Sequence, residues 1–539
     1  RLAAESVVPL EPLGLPDLAE DDLATLIEAP AIQLFVERAR SADPSFALDE
    51  RNAPVVAELC RRLDGLPLAL ELAAARVRMA GVDALLRALD RGVEALGRGT
   101  RDMPERQRGL RAALDWTVSL LEPEQRELFA GLAVFATAWT LEQAEHIFGG
   151  DIDVWEAMAS LLDFSLLHTR GDGRPTMAER VRRHARELLV AGGREIELRA
   201  AHAELMAETA ELLNLEVSLN LAGCIARTRD VLDEIELALT WTRANDRALH
   251  RRLLAAAGRP LYFTGHLAPV AHEITAMAAA DPREDEISGR LFIARAMVDV
   301  LAGDIGGVTE ATQTAVDIHR RTGSKRALVS SMTTHAHMLT LAIRGPDARA
   351  VIAEALELAS DITDQRVRDQ LEGTIAFAAV VEENWDEAEE RLQAILARPE
   401  RTDFAANAAV SYFADCALGR GQGEQALERY GASLQNELRN TDLINAGVQM
   451  VGIAASLALL GRDEEAARIF GAAQRLGSEV GMGLDSLMSG GVVGAPITAL
   501  QARMEPDIWE RTVAGGRALS VDEAAEAALQ LSLSSAPAR

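Results

Sequence analysis

The stretches NWDEAEERLQAIL (384–396), GQGEQALERYGASL (421–434) and GRDEEAARIFGAAQ (461–474) share one phrase at one phase. Each places an alanine at the same point, Ala388, Ala426 and Ala466, and these lie 38 and 40 residues apart. A small residue at a fixed place in a helix pair lets the neighbouring helix approach closely, which is the logic of tetratricopeptide-like solenoids, here with slightly long repeats. AGDIGGVTEATQTAV (302–316) reads as an earlier, eroded copy. Only helices and short turns are legible from about residue 196 onward, so 196–530 is expected to be a helical-repeat sensor domain. Near its close, ALSVDEAAEAAL carries a capping box, with Ser520 as N-cap and Glu523 three residues on. Residues 531–539 are expected to be a disordered tail.

Upstream of the repeats the grammar differs. Ser6 to Leu10 reads as a strand, followed by a proline-rich linker as far as residue 19. A helix is expected near Asp21, and Pro30 opens a second one. Val55, Val56, Leu59, Cys60 and Leu63 recur at helical spacing before Asp64-Gly65-Leu66-Pro67 interrupts. Glycine suits the left-handed residue after a helix and proline the first turn of the next, here Leu68 to Met79. Residues 20–98 are thus expected to be a helical domain. From Arg106 come shorter segments: a helix through RQRGLRAALDWTVSLL, another from Pro123, and a third within 152–169 that runs into a strand. A Gly171-Asp172-Gly173 turn, a return strand from Pro175 to Arg180 and a helix from near Glu179 follow. That order predicts a winged helix over 99–195, and a mainly α chain overall.

Composition sets further bounds. The 539 residues are 48% hydrophobic and 26% charged, which excludes wholesale disorder. Lys+Arg 55 against Asp+Glu 83 gives a net charge of −28, which disfavours nucleic acid and anionic lipid as general partners. Cys60, Cys224 and Cys416 make neither a disulfide framework nor zinc spacing, so a reducing, cytoplasmic setting is expected. Leu443 to Gly461 is uncharged, but its Asn445, Gln449 and three glycines favour a buried repeat helix over a membrane span. Lys325 is the single lysine and follows a serine, so the phosphate loop GxxxxGK[ST] does not occur in the sequence. The chain opens without methionine and in mid-phrase, which suggests a truncation.

Several phrases resemble consecutive signatures of bacterial STAND ATPases, the NB-ARC-type signalling proteins associated with LuxR-type, SARP-type or cyclase modules. They are PAIQLFVERAR (30–40), AELCRRLDGLPLALELAAARVR (57–78) and RQRGLRAALDWTVSLLEPEQRELFAGLAVFA (106–136). MAERVRRHARELL (177–189), DEIELALTW (233–241) and AGGRALSVDEAAEAAL (514–529) continue the likeness, which is specific over 59–133 and generic in the repeats. Ala178, Arg180 and His184 depart from the leucine, threonine and tyrosine usual in the family's phrase. The resemblance implies that Gly65, Leu66 and Pro67 lie against the adenine or ribose side of ATP or ADP in the intact parent. It also implies that 1–19 is the trailing strand and linker of a nucleotide-binding domain that the chain lacks. The parent's phosphate-binding loop and acidic strand would lie before Arg1, and the parent would oligomerise through that missing domain.

No catalytic constellation and no metal site emerge. His335 and His337, two apart on a helix, point to different faces. His202, His266 and His272 have no partnering pattern, and Ser330 and Ser331 lack a nucleophile context. The run Glu382, Glu383, Asp386, Glu387, Glu389 and Glu390 reads as a solvated repeat face. Trp116 and Trp241 read as core anchors. The candidate DNA-reading helix, VWEAMASLLDF (154–164), has no basic residue, so direct DNA binding is not expected. The reading is the regulatory and sensor region of a STAND-type transcriptional regulator, not itself an enzyme, binding no cofactor of its own. Its repeats would hold a protein, peptide or small-molecule ligand on a concave inner surface; the rival is a stand-alone solenoid adaptor that never meets nucleotide.

Overall fold

The computed structural model describes residues 13–15, 26–63, 65–78, 81–87, 111, 114–148, 150, 152–280, 283–482 and 491–533. The strand at Ser6–Leu10, the helix near Asp21 and the boundary at 98 lie outside these residues. Helices dominate, and the chain divides into two compact units, Arg1–Leu205 and Met206–Arg539.

In the first unit, the helix Pro30–Ala42 buries Ala31, Ile32, Phe35, Val36 and Ala39, a stripe at helical period. The helix Ala53–Arg62 buries Val56, Leu59 and Cys60, and the chain then turns through Gly65 at φ +61°. The Gly65 N–H donates to the Cys60 carbonyl at 3.1 Å, and Pro67 opens the next helix, Pro67–Ala74. That helix stops short of Met79: a turn at Ala75–Arg76 aims the Arg76 guanidinium over the Phe164 ring, 3.7 Å from its centroid, while Nη2 donates to the Phe164 carbonyl. Burial draws the Arg76 pKa down to about 10, which leaves it cationic.

The later part of this unit holds the helices Pro123–Gly131, Leu141–Phe148 and Val154–Asp163, then a two-stranded antiparallel ribbon and the helix Glu179–Ala191. In the ribbon His168 faces Thr176 and Thr169 faces Pro175. The return strand ends at Thr176 and not at Arg180, because the Glu179 helix has already begun. The sequence reading passed over Leu141–Phe148, although its start is spelled out: Thr140 and Gln143 cap each other's backbone N–H groups. Trp139 is the wholly buried tryptophan, stacked on Phe135 at 5.2 Å, whereas Trp116 and Trp241 are half-buried and so do not anchor the core.

The second unit repeats one device. An inner helix ends at a left-handed residue, one linker residue follows, and an outer helix begins. The left-handed residues are Gly303, Ile343, Glu383, Gly421 and Gly461. In each case the linker N–H reaches back five residues (Asp304 to Asp299, Arg344 to Leu339, Asn384 to Ala379, Gln422 to Ala417, Arg462 to Leu457) while the left-handed residue bonds three back. This is the Schellman closure, which satisfies carbonyls that a helix end leaves open. The fourth residue of each outer helix is then Val308, Ala348, Ala388, Ala426 or Ala466, all buried. The reading from three alanines thus extends to four, with Val308 at the fifth equivalent position, and the copy at Gly345–Ala359 had been missed. Its turn is disguised by Ile343 and its helix start by Pro346. The capping box at Ser520 and Glu523 starts the helix Val521–Leu533. The tail expected from residue 531 is helical as far as Leu533, with Ser532 buried; 534–539 lie outside the described residues.

Ile343 is a β-branched residue at φ +57°, where an L side chain costs roughly 1–2 kcal/mol. Ile343→Gly is expected to stabilise the second unit by about 0.5–1 kcal/mol after the added freedom of the unfolded glycine is counted. Gly421→Ile, at the equivalent turn, should cost about 1–2 kcal/mol. Denaturant midpoints of the two variants moving in the same direction would contradict this assignment.

Candidate ligand-binding cavity

The inner helices, Arg247–Phe263, Glu286–Ala302, Lys325–Leu341, Gln365–Val381, Asp403–Gly419 and Leu443–Leu459, line a cavity of about 450 Å³. The concave surface expected from the sequence is therefore present, and parts of the unit far apart in sequence approach one another beside it. Phe263 meets Phe404 edge-on at 6.4 Å, Arg229 Nη2 donates to the Thr441 carbonyl at 3.2 Å, and a Cβ on Gly265 would lie 2.9 Å from Val480. Early and late parts of the second unit thus touch beside the cavity.

Three consecutive inner helices contribute a stack of rings to its wall. His337 lies on Phe377 at 4.6 Å between centroids, and Phe377 on Tyr412 at 5.0 Å. Crowding by protein holds the His337 pKa down to about 4, so the imidazole is neutral. Beside the stack runs a polar row joined between helices: Gln370 Nε2 donates to Thr334 Oγ1 at 3.2 Å, and Gln449 Nε2 to Ser411 Oγ at 3.0 Å. The rest is largely aliphatic, including Ile293, Met297, Val381 and Val448.

Three carboxyl groups line the cavity and none is a free anion in the ordinary way. Asp369 accepts from the Thr402 N–H at 2.7 Å and Gln365 Nε2 at 2.6 Å, with Arg398 3.5 Å away. Burial raises Asp415 to about 7 against the lowering effect of the Tyr430 hydroxyl, which donates to it. Burial first, and the neighbouring Asp442 second, raise Glu437 to about 8; it is 3% exposed and its Oε2 has no hydrogen-bond partner. Arg259 supplies the one positively charged side chain among the described lining residues.

Of the residues weighed in the sequence, His337 reaches the cavity and His335 turns away to hydrogen-bond Thr312 at 2.8 Å. Their opposite faces are as expected. His202 packs edge-on against Phe135, His266 Nδ1 pairs with the Thr264 carbonyl, and His272 is exposed. The acidic run is not simply solvated: Glu382 and Glu387 pair with Arg349, and Asp386 and Glu389 with Arg420, tying adjacent repeats. Gly65 is buried and Pro67 exposed; a Cβ on Gly65 would lie 2.4 Å from the Leu13 carbonyl oxygen, so a backbone approach alone already demands glycine there. Arg259, Phe377, Tyr412, Asp415 and Glu437 were not singled out. The available signal was polar and aromatic side chains on the inward face of otherwise apolar inner helices. No helix among the described residues is long and apolar enough to cross a membrane; Leu443–Leu459 is a repeat helix. No group of three or more potential metal ligands occurs among the described residues.

No protein-family model matches the chain. It is 32% identical over 357 residues to the protein named "Putative HTH-type transcriptional regulator Rv0890c" of Mycobacterium tuberculosis (strain H37Rv), covering 62% of this chain and 40% of that one. It is also 37% identical over 123 residues to the uncharacterized protein Rv0894 of the same organism, 23% of this chain and 31% of that one. The chain thus spans well under half the length of these curated relatives. Among solved structures it is similar to a Signal Transduction ATPase with Numerous Domains (STAND) protein with a tetratricopeptide repeat sensor from Pyrococcus horikoshii. There the TM-score is 0.47 at 12% identity, over 90% of this chain and 74% of that one.

A carboxyl group whose pKa is raised by folding adds stability below its unfolded value and loses it as pH climbs through the folded value. For Glu437 that window runs from about 4.5 to about 8. The charged groups near it are Asp442, itself raised to about 6 by burial, and Arg229, which pulls Asp442 back down. Glu437→Gln is expected to match the parent near pH 5 and to be more stable at pH 9 by about 2–4 kcal/mol. Denaturation midpoints at the two pH values check this; an unchanged difference would show that Glu437 titrates normally.

Proposed function

We propose that this chain is the regulatory and sensor region of a STAND-type transcriptional regulator. The helical repeats hold a ligand, and its binding biases a nucleotide-dependent switch in the longer protein. The observation that carries this reading is a ligand-sized cavity lined by the inner helices of a helical-repeat unit, in a chain similar to a protein named as a transcriptional regulator. Coupling of this kind needs only that the ligand prefer one of two states.

The chain itself is not an enzyme in this reading and takes no cofactor alone. ATP or ADP belongs to the intact parent, where Gly65, Leu66 and Pro67 would touch the base or ribose side. Backbone and apolar contacts of that kind do not replace a phosphate loop. The isolated chain is therefore expected to bind ATP with a dissociation constant on the order of millimolar or weaker. Micromolar affinity by calorimetry would overturn that part of the proposal.

Gly373 offers a direct test of sensing, because it lines the cavity and a Cβ placed on it meets nothing within 4 Å. Gly373→Trp should fill the space without disturbing the backbone. In the full-length regulator it is expected to fix reporter transcription at one level, on or off, irrespective of growth condition. A reporter response identical to the parent's would refute the cavity as the sensing element.

A further inference from the structure

The cavity's one guanidinium is in an unusual position. Arg259 sits near the end of the helix Arg247–Phe263, half-buried in the cavity wall. Its one hydrogen bond among the described residues runs from Nη2 to Ser218 Oγ at 3.3 Å. No described carboxylate lies within ion-pair distance of it. Burial draws its pKa to about 10, so it stays cationic at neutral pH. The nearby Cys224 gives no counter-charge, since burial raises that thiol and Sγ donates to the Leu213 carbonyl. The lining acids do not help either: Asp369 is committed elsewhere, and Asp415 and Glu437 are held toward their neutral forms.

A half-buried guanidinium with no carboxylate partner among the described residues is a costly arrangement, and most of its five donors make no hydrogen bond to those residues. A planar oxyanion matches that fork with two parallel hydrogen bonds. The wall of the same cavity is largely apolar and carries the His337–Phe377–Tyr412 stack. We infer that the cavity binds a small carboxylic acid with an apolar, ring-bearing body, whose carboxylate is held by Arg259 and whose body lies against the stacked rings. Burial raises Asp415 and Glu437 toward their neutral forms, which weakens their repulsion of the ligand's charge.

This inference rests on the sensor reading and names the ligand class for it. The test is calorimetry on the full chain with 4-phenylbutyrate, 4-phenylbutan-1-ol and 4-phenylbutylamine, which share a body and differ in charge. The acid is expected to bind at least tenfold more tightly than the alcohol and the amine. Arg259→Met should abolish that preference, and Arg259→Lys should retain part of it. The ligand-free Arg259→Met variant should melt no lower than the parent, because it removes an uncompensated charge; a purely structural arginine would not change the order of the three probes. The alcohol or amine binding as tightly as the acid, an acid affinity untouched by Arg259→Met, or binding of none of the three would each overturn the inference. The Gly373→Trp reporter reads the sensor role separately, so a wrong ligand class and a wrong sensor assignment give different results.

Discussion

Close approach of two helices joined by a one-residue linker is the constraint on which the second unit depends. The left-handed residue and its paired backbone bonds fix the path of the chain, and the buried small residue four positions into the outer helix fixes the distance. Repeated at 38 to 40 residues, that geometry gives each pair the same small rotation against the last, which curves a solenoid. Here the curvature brings Phe263 and Gly265 to Phe404 and Val480, with the cavity between the inward faces. The shifted groups that line the cavity follow from that geometry. Asp415, Glu437 and Arg259 would be ordinary charged groups on an open surface; in the cavity wall their protonation equilibria move.

The exterior and interior of this unit obey different electrostatics. Outside, Arg349, Arg420 and Arg503 bridge to acids of the adjoining repeat, as Arg503 does to Asp463 at 2.6 Å. Such exposed pairs contribute roughly 0–1 kcal/mol each and are screened by salt, so they align repeats more than they hold them. Inside, Arg259 has no ion-pair partner among the described residues, in a protein whose net charge is −28. The long-range field of so acidic a chain retards the approach of an anion, and only the short-range pairing at Arg259 can favour it.

Much of the fold was legible because it is written in local chemistry. Gly65-Leu66-Pro67 announced a helix end and a helix start, Gly171 to Gly173 a hairpin, and three alanines a repeat. The missed copy at Gly345–Ala359 shows the limit of that method: Ile343 occupies a left-handed position without the glycine that would have marked it. Lengths were less legible than types, since the Pro67 helix ends where Arg76 finds Phe164, a partner 88 residues away. The site was the least legible part. His337, Phe377 and Tyr412 come from three helices, and nothing in any one of them says that its neighbours will bring a ring to the same height. Arg259 looks like any of the chain's arginines until the fold leaves it no ion-pair partner among the described residues.

Contacts between distant parts of the second unit change how such a protein comes apart. In an open solenoid each repeat touches only its neighbours, so terminal repeats fray independently and stability is close to a sum of local terms. Arg229 bonds to Thr441 and Gly265 packs on Val480, so local unfolding at either place strips a contact from the other. These contacts join residues about two hundred positions apart in sequence, so they form late and slowly relative to the repeats. The width of the space between the inner helices is thereby tied to a joint that opens and closes with local unfolding, and not to the repeats alone.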